Sequence, residues 1–261
     1  MELFHRLLGT PHQASSPPPL VILHGLLGSS DNWQTLGMRW AQTRPVVLVD
    51  QRNHGRSPHH PSHAYPDMVV DLLDTLDALG VAQADLLGHS MGGKTAMYFA
   101  DRHPDRCRSL IIADMAPIAY PPHHTPLFDA MAALDLTTFE RRGDVDAALA
   151  QSIGDPGVRQ FLLKGLYRPE STRFAWRFNL SVLRRHLADM TAHRPLGNID
   201  LPTLGIYGNR SDYVVGRGME AMKRHFTELE LRALDAGHWL HAEQPDDFDE
   251  AVQGFLGDLA P

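Results

Sequence analysis

Residues 86–95 read Leu86-Leu87-Gly88-His89-Ser90-Met91-Gly92-Gly93-Lys94-Thr95 and hold two catalytic patterns at once. Gly88-His89-Ser90-Met91-Gly92 is G-x-S-x-G, a sharp strand-to-helix turn that exposes a serine hydroxyl for acyl transfer. Gly88 to Thr95 is also G-x-x-x-x-G-K-T, in which backbone N–H groups and a lysine cradle phosphates. Both patterns need a strand before and a helix after, and the chain offers both. Local context does not choose between them.

Two further constellations bear on the choice. His24-Gly25-Leu26-Leu27-Gly28-Ser29 follows the apolar run Leu20-Val21-Ile22-Leu23. A glycine-rich turn there exposes backbone N–H groups, as an oxyanion hole requires. Gly237-His238-Trp239 lies past the last apolar strand and before a final helix. On this kind of sheet a serine hydrolase carries its residues in the order serine, acid, histidine. The serine reading uses all three stretches. The phosphate reading leaves two idle, although Asp114 after Leu110-Ile111-Ile112-Ala113 would suit a magnesium-holding acid.

Ser90 is therefore the candidate nucleophile, and as a weak nucleophile it needs a base within hydrogen-bond reach. Its bland alternative is a serine N-cap on the following helix. His238 is a candidate base and His241, three residues on, competes with it; either could be a packed loop residue. Leu26 and Met91 are the candidate oxyanion donors through their backbone N–H groups, which leaves their side chains free to shape a pocket. The acid is open at this point between Asp114 and Asp212. The position three residues after Gly208 is Ser211, which lacks the charge to orient an imidazole. Trp33, Trp176, Phe178 and Trp239 are candidate pocket walls and, equally, candidate core. Lys94 then has a structural or salt-bridging role. Asn53 and His54, in the loop after Val46–Val49, hold nearby loops through polar contacts. Asp31 or Asn32 caps a short helix.

The elements that must position these residues alternate in type. Apolar, β-branched runs at 20–23, 46–49, 84–87, 110–113, 203–207 and 228–232 read as strands, with a strand or hairpin around 2–8. Residues 68–79 carry Val69, Leu72, Leu73, Leu76 and Leu79 at helical spacing, and Gly80 ends the run. Residues 95–102 and 245–259 read as further helices. Alternation of this kind predicts a parallel sheet with helical crossovers. Residues 117–195 break it with short helices at 126–134, 145–153, 157–166 and 174–190. Such an insertion reads as a cap, giving a core of 1–116 and 196–261 and a cap of 117–195.

Composition narrows the function classes. The chain has 261 residues, 43% hydrophobic and 21% charged, enough for one large core. Its net charge of −7 and the lack of a basic run argue against nucleic-acid or anionic-membrane partners. Cys107 is the single cysteine, so no intrachain disulfide forms. The opening MELFHRLLGT lacks the apolar core of a secretory signal, and a cytoplasmic location is expected. The sixteen histidines include His59, His60, His63, His123 and His124 in proline-rich loops. With no Cys or carboxylate at ligand spacing, these read as solvated side chains and no metal is expected.

Taken together, these stretches resemble the α/β-hydrolase superfamily, and within it the YbfF-type bacterial esterases. The resemblance rests on residues 24–29, 50–57, 71–79, 88–94, 176–179 and 237–243. It implies a sheet of about eight strands with a helical cap after the sixth. It implies cofactor-free hydrolysis of carboxylic esters or thioesters of small to medium acyl groups. It also places the base directly after the glycine, at His238, and the acid on the earlier strand, at Asp114. Ser211 becomes an auxiliary hydrogen-bonding residue and Asp212 the alternative acid. A carbon–carbon bond hydrolase could use the same three residues.

Overall fold

Four apolar strands account for the centre of the molecule. In the computed structural model, which describes residues 1–9, 17–122, 124–170 and 173–259, β1 is His5–Leu8, β2 Leu20–Leu23, β3 Val46–Val49, β4 Ala84–His89 and β5 Cys107–Ala113. β2, β3 and β4 are buried along their whole length. Strands buried on both faces lose the in–out alternation of a half-exposed sheet, which is why they read as unbroken apolar runs. β8 (Ile199–Gly208) and β9 (Phe226–Leu234) complete the sheet in the order β1-β3-β2-β4-β5-β8-β9. In this sheet β1 is antiparallel to its neighbour and the other described pairs are parallel.

The sheet thus has seven strands among the described residues, rather than about eight. Among the described residues, the N-terminal segment contributes one strand and no hairpin. Ahead of β1, the Leu3 N–H goes to the Thr75 hydroxyl at 3.0 Å and the Phe4 N–H to the Ser57 hydroxyl at 2.8 Å. Side chains take these two N–H groups, while the Phe4 carbonyl accepts from the Asp50 N–H at 2.9 Å.

Helices cover both faces. α1 (Gln34–Trp40) and α11 (Pro245–Asp258) pack on one face with Leu20, Ile22 and Leu48. α2 (Tyr65–Ala78) and α3 (Met91–Arg102) pack on the other with Val21, Leu23 and Val49. The alternation of neighbouring strand residues between the two clusters is the strand period of two. α2 starts before the expected residue 68, with Pro66 in its first turn and Tyr65 buried.

The helical insertion follows β5, the fifth strand in chain order, not a sixth. It comprises α4 (Thr125–Ala132), α5 (Arg142–Leu149), α6 (Pro156–Leu163), β6 (Leu166–Tyr167), β7 (Ala175–Trp176), α7 (Leu180–Arg185) and α8 (Leu187–Thr191). Residues 174–190 are not one helix. Ala175 and Trp176 pair with β6 as a two-stranded ribbon, and the Arg177 N–H bonds the Gly165 carbonyl at 2.8 Å. α9 (Arg217–His225) and α10 (Leu240–Glu243) lie in the returning half of the chain. No helix among the described residues is long and apolar enough to cross a membrane.

Candidate active site

The C-terminal ends of β4, β5 and β8 bring the candidate residues together. Ser90, at the turn between β4 and α3, has φ 54° and ψ −117°. That strained conformation lifts its side chain clear of the backbone. The turn is possible because its flanking glycines have no side chains. A Cβ on Gly88 would sit 2.2 Å from the Gly92 carbonyl oxygen, and one on Gly92 would sit 2.2 Å from the Leu23 carbonyl oxygen. Close backbone packing, not phosphate binding, is what the glycines provide here.

The loop after β9 places His238 with Nε2 3.0 Å from Ser90 Oγ and Nδ1 2.7 Å from Asp114 Oδ2. A carboxylate can only accept, so Nδ1 carries the proton and Nε2 is left to accept from the hydroxyl. The Tyr213 ring stacks on the imidazole at 3.9 Å. His89 Nε2 donates to the His238 carbonyl at 2.8 Å. Burial holds His89 well below its usual pKa, so it stays neutral.

Asp114 is fully buried at the end of β5, with φ 49°. Its Oδ1 accepts from the Gly208 N–H at 3.1 Å, and its Oδ2 accepts from Ser211 Oγ at 2.5 Å as well as from His238. Asp212, by contrast, is exposed. His241 packs flat against Trp33 with ring centres 4.3 Å apart, while His238 faces Ser90.

The loop after β2 runs beside this chain of residues. The Gly28 N–H bonds the Gly25 carbonyl at 3.0 Å, which closes a tight turn with Leu26 and Leu27 at its centre. Met91 opens α3, so its N–H has no acceptor within the helix. Asn32 caps the following turn by accepting from the Ser29 N–H at 2.8 Å.

A cavity of about 230 Å³ opens at Ser90 and His238. Trp33 and Trp239 line it, Trp33 as a fully buried core residue, and so do Leu127, Val158 and Phe161 from α4 and α6. Trp176 and Phe178 do not reach the site. They stack on one another at 5.1 Å within the insertion, where Phe178 fills the space over Gly165. Of the aromatic residues in the insertion, Phe161 faces the cavity, a distinction that composition does not carry.

A further expectation needs correction. His63 is not solvated: it is fully buried beside Asn53 and the His54 ring, and burial lowers its pKa to about 3. His59 and His60 are exposed, and His123 lies outside the described residues. Lys94 forms no salt bridge among the described residues. It is buried, donates to the Ala192 carbonyl at 3.0 Å and lies 5.0 Å from the centre of the Tyr120 ring. Its ammonium is spent on the segment that leaves α8, and Asp114 is spent on His238. The phosphate reading is left without its lysine and its acid.

Lys94 carries a testable pH signature. Burial pulls its pKa from 10.5 down to about 8. Between those values the unfolded chain keeps a proton that the folded chain has shed, so this group's contribution to stability rises with pH. The wild type is expected to gain thermal stability relative to Lys94→Met as pH is raised from 8 towards 10.5. A difference in melting temperature that stays constant across that range counts against a buried cation.

The architecture and the serine turn define a class, and comparison with known proteins gives the same one. The chain belongs to the α/β-hydrolase family: the model of the alpha/beta hydrolase fold matches residues 18–154. Among curated relatives it is similar to the esterase YbfF of Escherichia coli, with 36% identity over 92% of this chain and 93% of that protein. It is also similar to the sn-1-specific diacylglycerol lipase ABHD11 of Mus musculus, with 38% identity over 92% of this chain and 81% of that one. Among solved structures, a marine microorganism esterase superposes with a TM-score of 0.92 at 34% identity, covering 97% of this chain and 99% of that one.

Proposed function

We propose that this protein is a serine hydrolase that cleaves carboxylic esters or thioesters of small to medium acyl groups through an acyl-enzyme on Ser90. The observation that carries the reading is the unbroken line Ser90 Oγ, His238, Asp114, with links of 3.0 and 2.7 Å. The esterase and lipase relatives support ester bonds as the target. No observation favours carbon–carbon cleavage.

In the first half-reaction Ser90 Oγ attacks the acyl carbon while His238 Nε2 takes its proton. The carbonyl oxygen becomes an oxyanion, bound by the N–H groups of Leu26 and Met91. Collapse expels the alcohol or thiol, which receives the proton from His238. Water then attacks the acyl-enzyme by the same route, giving the acid and restoring Ser90. Asp114 holds the imidazole tautomer and stabilises the imidazolium, and Ser211 steadies the carboxylate. The residues serve this chemistry with no metal or cofactor. Residues 117–195 act as the cap, whose α4 and α6 close the acyl cavity over the core of 1–116 and 196–261. The acidic chain, with a buried thiol on Cys107, suits a cytoplasmic enzyme.

A chain-length series of p-nitrophenyl and acyl-CoA esters tests the substrate class. Phe161 faces Trp239 at 5.4 Å across the cavity wall. Phe161→Trp adds volume there and is expected to lower kcat/KM for the longer acyl groups while sparing acetate. An unchanged length profile would mean that the acyl group lies elsewhere.

A further inference from the structure

The loop of residues 50–57 supplies none of the three side chains in the Ser90 line, yet it is bonded to residues 24–30, the loop beside Ser90, at four points. Asp50 Oδ1 accepts from the Ser30 N–H at 2.6 Å. The Gln51 N–H donates to His24 Nε2 at 3.0 Å, and Gln51 Nε2 donates to the His24 carbonyl at 2.7 Å. The Leu27 N–H donates to His54 Nε2 at 3.0 Å.

The last of these bonds is the informative one. Leu27 has φ 63°, in the left-handed region, which a leucine adopts only under strain. With Leu26 at a negative φ and the Gly28 N–H closing on Gly25, residues 25–28 form a turn of type II character. Type I and type II turns differ by a flip of the central peptide, here the one joining Leu26 to Leu27. The N–H of that peptide is the group held by His54. That bond offsets the strain at Leu27 and holds the turn in its type II arrangement.

His54 is suited to the task because its protonation is determined. An amide N–H can only donate, so Nε2 is bare, and Nδ1 carries the proton to the Arg52 carbonyl at 3.0 Å. Burial, then the neighbouring imidazoles of His24, His63 and His59, holds the ring neutral. The loop that carries it is itself braced. Asn53 accepts from the Asn179 N–H at 2.8 Å and from the His60 N–H at 2.8 Å.

We propose that His54 is the positioning residue of the oxyanion hole: by holding the Leu27 N–H it keeps the strained 25–28 turn closed, and so keeps Leu26, whose N–H belongs to the preceding peptide, in place at the corner of that turn, without meeting the substrate. The proposal rests on the acyl-enzyme reading above. The test compares His54→Asn, which keeps a donor for the Arg52 carbonyl but falls short of Leu27, with His54→Gln, whose amide oxygen reaches Leu27. Each is assayed with the best p-nitrophenyl ester and with a short-chain trifluoromethyl ketone. That ketone adds reversibly to the serine and places an oxyanion in the hole. His54→Asn is expected to lower kcat by roughly 10²-fold, the scale of losing one oxyanion donor. It should weaken the ketone by a similar factor, with KM little changed. His54→Gln should recover most of both, with thermal unfolding checked for each. Equal kcat and equal ketone inhibition in the two variants overturn the proposal, as does a loss confined to KM. A wild-type enzyme that the ketone does not inhibit at all would instead overturn the Ser90 reading itself.

Discussion

Ser90→Ala is expected to abolish ester hydrolysis while leaving the fold intact. In another serine hydrolase, removal of the nucleophile cost roughly 10⁶-fold in kcat, and a loss of that scale is expected here. The fold survives because the Ser90 hydroxyl bonds only His238 among the described residues, while the turn itself is built by backbone. Alanine inherits the left-handed conformation at φ 54° and gains no freedom from it, so thermal unfolding should barely move. A fluorophosphonate probe should label the wild type at Ser90 and fail on the variant. Near-wild-type turnover by Ser90→Ala would remove the acyl-enzyme from the mechanism. Labelling of a folded enzyme at some other residue would do the same.

How far the sequence alone leads depends on what each residue's neighbours decide. The strands were legible because burial on both faces demands continuous apolar runs, and Leu20–Leu23 and Val46–Val49 coincide with β2 and β3. The serine turn was legible because only glycine tolerates contacts as close as those at Gly88 and Gly92. The aromatic residues of the insertion were not. Trp176, Phe178 and Phe161 are equally apolar, and only the ribbon β6–β7 and the space over Gly165 decide that the first two face inward. His63 misled because proline-rich surroundings suggest solvent, whereas Asn53 and His54 close over it. Among the described residues the sheet has seven strands rather than about eight, and ahead of β1 the Leu3 and Phe4 N–H groups bond to the Thr75 and Ser57 hydroxyls. The acid was ambiguous for the same kind of reason. Asp114 and Asp212 both follow strands, and which one turns inward depends on the left-handed φ of 49° at Asp114, which an aspartate does not advertise.

That ambiguity gives the second large effect. Asp114→Asn is expected to lower kcat by about 10⁴-fold with KM little changed, the loss recorded for the same exchange in another serine hydrolase. The hydrogen bonds say why. All three groups facing the carboxylate are donors: the Gly208 N–H at Oδ1, and the Ser211 hydroxyl and His238 Nδ1 at Oδ2. An asparagine must turn its NH₂ towards one side or the other. Towards His238 it forces Nδ1 to accept, which moves the ring proton to Nε2 and leaves no base for Ser90. Towards Gly208 it sets donor against donor in a site with no access to water. Asp212→Asn changes an exposed side chain and should be nearly silent. Ser211→Ala should fall between them, at roughly ten- to a hundredfold, since a hydrogen bond to a charged group is worth about 1.5–3 kcal/mol. Steady-state kinetics on the three variants checks the order. If Asp212→Asn proves the crippling change and Asp114→Asn the mild one, His238 draws its support from the later strand during turnover and the assignment of Asp114 is overturned.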